Sequence, residues 1–168
     1  SFAGKVGELY APSRDQEKAK EYLATALSEL GCTVDDLSAH LSIDCGDSAT
    51  STAEASFYQE QWRQVLGIEV TVNPMITKQG SQNRKTGNYV MSVTGWGPDY
   101  NDPNTFLDLW VTDGGNNQTG FSNERYDELI DLASKETDLE KRESYFIECE
   151  QIIADQLPIG PAFWRAPS

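Results

Sequence analysis

Gly95-Trp96-Gly97-Pro98-Asp99-Tyr100-Asn101-Asp102-Pro103 is the stretch on which the reading of this chain turns. It follows a short apolar run, Tyr89 to Thr94, whose composition predicts a strand, and it stops that strand abruptly. Glycines on both sides of Trp96 leave the backbone bare beside a large flat ring, and bare backbone lets another chain approach closely. The indole offers a broad apolar face and one N–H. Asp99, held between Pro98 and Tyr100, places a carboxylate just past the strand's end, where it suits a cation such as an α-ammonium group. Together these features fit an extended peptide whose N-terminus is read. The same residues admit a second reading: a core tryptophan at a strand–loop junction, with Gly-Pro and Asp-Pro as ordinary turn punctuation.

Downstream, Asp102 and Pro103 read as the cap and first residue of a short helix carrying Phe106, Leu107 and Trp110. A loop rich in Gly and Asn, Thr112 to Ser122, comes next. Helical spacing then predicts helices at 124–136, with Tyr126, Leu129, Ile130 and Ala133, and at 139–157, with Leu139, Arg142, Phe146, Cys149, Ile152 and Ile153. Pro158 ends the second, and Ile159 to Trp164 reads as a last strand. Upstream, residues 15–30 form an amphipathic pattern with Ser13 and Gln16 as a capping box and Gly31 as a stop. Leu41, Ile43 and Cys45 alternate as a strand. Ser51 and Glu54 suggest the capping box of a helix at 52–66, which buries Ala55, Tyr58, Trp62, Val65 and Leu66 and ends at Gly67. Ile68, Val70 and Val72 alternate again. Lys78 to Asn88 has no hydrophobic residue and reads as an exposed loop. The resulting order describes one α/β lobe with helices packed on a small sheet.

The chain's 168 residues suffice for one domain with a real core. A formal charge of −14 opposes binding to nucleic acid or anionic membranes, both of which require basic surfaces. No apolar run reaches membrane-spanning length and no basic-plus-apolar leader opens the sequence. The three cysteines, Cys32, Cys45 and Cys149, have no metal spacing; Cys149 lies on an apolar helix stripe, and a Cys32–Cys45 bridge stays open. Neither a serine nucleophile elbow nor a phosphate loop occurs, and His40 has no partner motif, so catalysis is not expected.

The pattern Trp96-x-x-Asp99-Tyr100-x-Asp102-Pro103, then Phe106-Leu107, Asn116-Asn117, Phe121-Ser122-Asn123-x-x-Tyr126-Asp127-x-Leu129-Ile130, Arg142, Tyr145-Phe146 and Glu150, resembles the solute-binding component of oligopeptide- and dipeptide-importing ABC transporters. Asp15 to Leu30, and Gln59 to Val72 with Leu66-Gly67-Ile68, resemble upstream parts of that family. The resemblance implies a type II periplasmic-binding-protein-like fold, of which these residues form one C-terminal lobe, 1–168, built on a small mixed sheet flanked by helices. The hinge side lies near 1–10 and 159–168. It implies short peptides as ligands, ABC permease subunits as partners, no cofactor, a monomer, and an extracytoplasmic, lipid-anchored location. It implies that Asp99 pairs with the ligand's α-ammonium and that backbone at Gly95, Trp96 and Gly97 pairs with the peptide, beside Tyr100. Asn116, Asn117 and Gln118 line side-chain pockets. Relatives of the same fold bind oligosaccharides, metal chelates or signalling peptides, and these stay open as alternatives. Two departures stand out: Val93 replaces a basic residue that some members carry before the tryptophan, and Pro98 removes one main-chain donor.

Overall fold

Alternating apolar and polar positions around residue 43 build the centre of the first of two compact units, which runs up to Gly95; the second begins at Trp96. The computed structural model describes residues 15–163. In the first unit, α1 (Gln16–Leu30) is capped by Asp15, which accepts from the Lys18 N–H at 2.9 Å, and is closed by Gly31 at φ 64°. The expected Ser13 cap lies outside the described residues. A short helix not read from the sequence, α2 (Val34–Ser38), opens on a Thr33–Asp36 capping box. Then come β1 (Ser42–Gly46), α3 (Ala49–Leu66), β2 (Thr71–Met75), α4 (Thr77–Thr86) and β3 (Met91–Ser92). The strands pair in the order β2-β1-β3, with Ile43 opposite Val72 and Met91. Both pairings are parallel, so among the described residues the sheet is not the expected mixed one. Parallel neighbours need long crossovers, and α3 supplies one.

Ile43 and Cys45 turn one face of β1 into an apolar core with Ala55, Ile68 and Val70. Tyr58, Trp62 and Leu66 of α3 pack against that core as expected. The cap of α3 is Ser48, not Ser51: the Ser48 hydroxyl accepts from the Ser51 N–H at 3.1 Å, and the helix starts three residues earlier than the capping-box reading. Ile68 and Val70 are buried but precede β2. The Tyr89–Thr94 strand contracts to Met91–Ser92, extended by the Val93 N–H donating to the Asp44 carbonyl at 2.8 Å.

The larger correction is α4. Residues 78–88 were expected as loop, yet Thr77–Thr86 is helical, without a single apolar anchor. Polar bonds fasten it instead. Asp44, 5% exposed on the other face of β1, accepts from Asn83 Nδ2 at 3.0 Å and from Asn73 Nδ2 at 3.4 Å, and Arg84 bonds Ser92 Oγ at 3.3 Å. Gly80 is buried against β2, where a Cβ would make ordinary contact with Met75 Cγ at 3.6 Å.

The second unit begins with the Trp96 stretch and continues into α5 (Asn104–Leu107), a 3₁₀ turn (Asp108–Trp110), α6 (Glu124–Lys135) and α7 (Leu139–Gln156). Asn123 and Asp138 cap the two longer helices. Their facing stripes bury Tyr126, Leu129, Ala133, Phe146, Cys149 and Ile153 with Leu107. Leu139, read as part of that stripe, is exposed. The Tyr126 hydroxyl donates to the Leu107 carbonyl at 2.5 Å, which joins α6 to α5. After Leu157, residues 159–163 form no strand; Pro161 lacks an N–H for a ladder and no described strand lies alongside. All three cysteines are free, so Cys32 and Cys45 are not bridged. Among the described residues, no helix is long and apolar enough to cross a membrane.

Candidate functional site

A stretch with two glycines and two prolines cannot form regular structure, and from residue 93 to 98 the chain carries none. Trp96 is 46% exposed and Tyr100 49% exposed, which sets aside the core-tryptophan reading. Around Gly95, the last residue of the first unit, and around Gly97, a Cβ would meet nothing within 4 Å. Neither has positive φ. Among the described residues no neighbour requires these glycines, so what they provide is bare, accessible backbone.

Asp99 is exposed, and among the described residues no hydrogen bond or ion pair takes up its carboxylate. Its backbone is anchored: the N–H donates to Thr105 Oγ1 at 3.0 Å, and Thr105 is 2% exposed. The helix starts one residue later than expected: Pro103, not Asp102, takes the cap position and Asn104 is the first helical residue, while Asp102 sits just ahead and accepts from the Asn104 N–H at 2.9 Å. It also has a partner that spacing did not show. Arg142, forty residues on in α7, grips both carboxylate oxygens, Nη1 to Oδ2 at 2.6 Å and Nη2 to Oδ1 at 3.0 Å. The Arg142 Nε donates to the Ala133 carbonyl at 3.0 Å and the guanidinium lies 4.6 Å from the Phe146 ring. The two charges are partly shielded, with side-chain exposures of 24% and 27%, and the guanidinium holds the Asp102 carboxyl below the usual aspartate range.

A second carboxylate lies near Asp99. Burial, and then the charge of Asp99, raise the Asp108 carboxyl. Asn104 Nδ2 donates to Asp108 Oδ2 at 3.2 Å and to the Tyr100 hydroxyl at 3.0 Å, linking these residues, while Asn104 Oδ1 is buried with no hydrogen-bond partner among the described residues. The neighbourhood is rich in acceptors and negative charge, an environment for a cation or a multiple N–H donor.

In the Asn loop the outcome is divided. Asn117 Nδ2 donates to the carbonyls of Trp110, Val111 and Phe121 at 3.3, 3.0 and 2.8 Å, and its Oδ1 accepts from the Thr119 N–H and hydroxyl. Its amide is committed to holding the loop. Asn116 is exposed and Gln118 half-buried. Gly114 is needed sterically, since a Cβ there would lie 2.8 Å from Val111 Cγ2. Thr105, Asn104, Asp108 and Arg142 are neighbours of the candidate site to which the sequence reading gave no role there. For Arg142 a signal was present: a charged residue at an apolar-stripe position. A separate cavity of about 440 Å³ in the first unit, walled by Ser42, Asp44, Asn73 and Asn83, includes no motif residue.

The pattern that defines the bacterial extracellular solute-binding proteins, family 5 Middle, matches residues 2–118. The chain belongs to this family. Its members are solute-binding components of transport systems rather than enzymes. The oligopeptide-binding protein OppA of Bacillus subtilis is 34% identical over 165 residues, covering 94% of this chain and 29% of the relative. A crystal structure of a peptide ABC transporter's peptide-binding protein superimposes with a TM-score of 0.81 at 30% identity, covering 94% of this chain and 68% of that one. Listeria monocytogenes OppA bound to peptide gives a TM-score of 0.76 at 28% identity, covering 90% and 28%. The chain thus spans under a third of the length of the Bacillus relative. The relatives include oligopeptide- and dipeptide-binding proteins, and the α/β architecture is the periplasmic-binding-protein-like one.

Proposed function

We propose that these residues form one lobe of a two-lobed family 5 protein that captures short peptides and delivers them to an ABC permease, with Asp99 holding the peptide's α-ammonium. The observation that carries the reading is the exposed Asp99 carboxylate, spare of partners among the described residues, on a backbone anchored through its own N–H. Asp108 adds negative charge beside it. The open backbone at Gly95 and Gly97 suits strand-like pairing with a ligand main chain, and that pairing is blind to side chains, so broad specificity follows. Pro98 has no N–H and that of Asp99 is taken by Thr105, so Gly97 is left as the nearest main-chain donor before the carboxylate. Trp96 and Tyr100 offer apolar faces to side chains, with Asn116 and Gln118 as polar lining. Asn117 acts by shaping the loop. The protein works outside the cytoplasm as a monomer, tethered by a lipid.

The test is native mass spectrometry of the full-length protein, purified without denaturation. A ladder of released masses resolving into short peptides is the expected result. A single non-peptide mass, such as a sugar or chelate, or an empty protein that ignores a peptide mixture, overturns the reading.

A further inference from the structure

A threonine buried to 2% in a four-residue helix needs a reason, because valine fills the same space without bringing a hydroxyl out of water. The reason on view is the Asp99 N–H, which reaches Thr105 Oγ1 at 3.0 Å across six residues and closes the Trp96 stretch onto α5. The helix bearing that hydroxyl is itself held at both ends. Asp102, gripped by Arg142, accepts from the Asn104 N–H at its start, and the Tyr126 hydroxyl bonds the Leu107 carbonyl at its finish. The Asp99 carboxylate meanwhile remains unclaimed by hydrogen bonds or ion pairs among the described residues. An anchored Cα with a free carboxylate is the arrangement of a preorganised ion-pair partner, which orders little on binding.

We propose that Thr105 is the positioning residue for the ammonium site: its hydroxyl, on a helix whose start the Asp102–Arg142 pair holds, aims Asp99 and so sets the preference for peptides with a free amino terminus. The proposal rests on the reading of Asp99 given above.

The experiment compares trialanine with N-acetyl-trialanine by calorimetry on the full-length protein and its Thr105→Val, Thr105→Ser and Asp99→Asn variants. Thr105→Val is expected to cut the free-amine preference about tenfold, the weight of one lost hydrogen bond, with N-acetyl affinity unchanged and Thr105→Ser restoring the preference. A general loss of stability lowers both affinities together and leaves the ratio alone. If Asp99→Asn abolishes the preference while Thr105→Val keeps it within twofold, the positioning role is wrong and the ammonium reading stands. If Asp99→Asn also keeps the preference, both fall. The unsubstituted protein gives a second readout: the Asp99 amide is expected to exchange at least tenfold more slowly than an unprotected amide. Exchange at the unprotected rate overturns the proposal even if Thr105→Val does not fold.

Discussion

Replacing Arg142 by methionine tests how the second unit holds its site, because one side chain ties α7 to the loop before α5 and to the end of α6. The substitution removes two charge-assisted bonds to Asp102, one bond to the Ala133 carbonyl and the stacking on Phe146. The methionine keeps most of the apolar stem. Charge-assisted bonds are worth about 1.5–3 kcal/mol each when shielded, and an exposed pair under about 1 kcal/mol. With a quarter of each side chain still in water, the whole loss comes to about 2–3 kcal/mol. For a domain of this size that is a fall in Tm of roughly 4–12 °C. The pH dependence identifies the cause. The folded carboxyl of Asp102 is held below its ordinary 3.8, so its stabilisation is present above that value and is lost as pH falls through the lowered folded value. The gap between wild type and Arg142→Met, measured by urea unfolding, should therefore be constant from pH 7 to about 5 and narrow below 4. A variant as stable as wild type at pH 7, or a gap that persists undiminished to pH 2, refutes the reasoning.

In the full-length protein, Asp99→Asn should weaken free-amine peptides by about 3–5 kcal/mol once the contact is enclosed by ligand, and leave N-acetylated ones nearly unchanged; equal losses for both, read by calorimetry, contradict the assignment. Asn83→Ala should cost about 1–3 kcal/mol by leaving the buried Asp44 with only the long Asn73 contact, and should speed amide exchange throughout α4; unaltered exchange there means that the helix is held by other contacts. Trp62→Ala should lower stability by about 2–3 kcal/mol, less than for a fully buried tryptophan because Trp62 is only half-buried, and should leave peptide affinity alone; unchanged urea unfolding places its ring outside the core.

Where apolar residues recur at helical spacing and a cap residue precedes them, sequence and structure agree closely. The elements α1, α3, α6 and α7 all have apolar stripes, and glycines at positive φ close α1 and α3. The misreadings have equally local causes. Ser48 and Ser51 compete for one helix start, and only the extended backbone at Ser48 settles it. In α4 no apolar residue exists to show a period, since the helix is fastened by amides to Asp44 and by Arg84 to Ser92. Ile159 to Phe163 has strand composition but no described neighbour to pair with. In the candidate site, the exposure of Trp96 and Asp99 and the open backbone at Gly97 agree with the sequence reading, because glycine and proline punctuate the stretch. Asn117 misled because an amide in a loop serves ligand and backbone equally well until the loop closes.

By itself, then, the sequence determined the family, the α/β class, the principal helices with their ends, and the carboxylate offered beside bare backbone. These depend on residues near one another in the chain, where periodicity, capping and turn chemistry act. Tertiary structure alone decided which polar groups are used up and which are left to act. Arg142 is spent on Asp102, Asn117 on its own loop and the Asp99 N–H on Thr105, while the Asp99 carboxylate stays unclaimed among the described residues. The physical reason is that a polar group taken from water must find a partner, and packing brings that partner from distant parts of the chain.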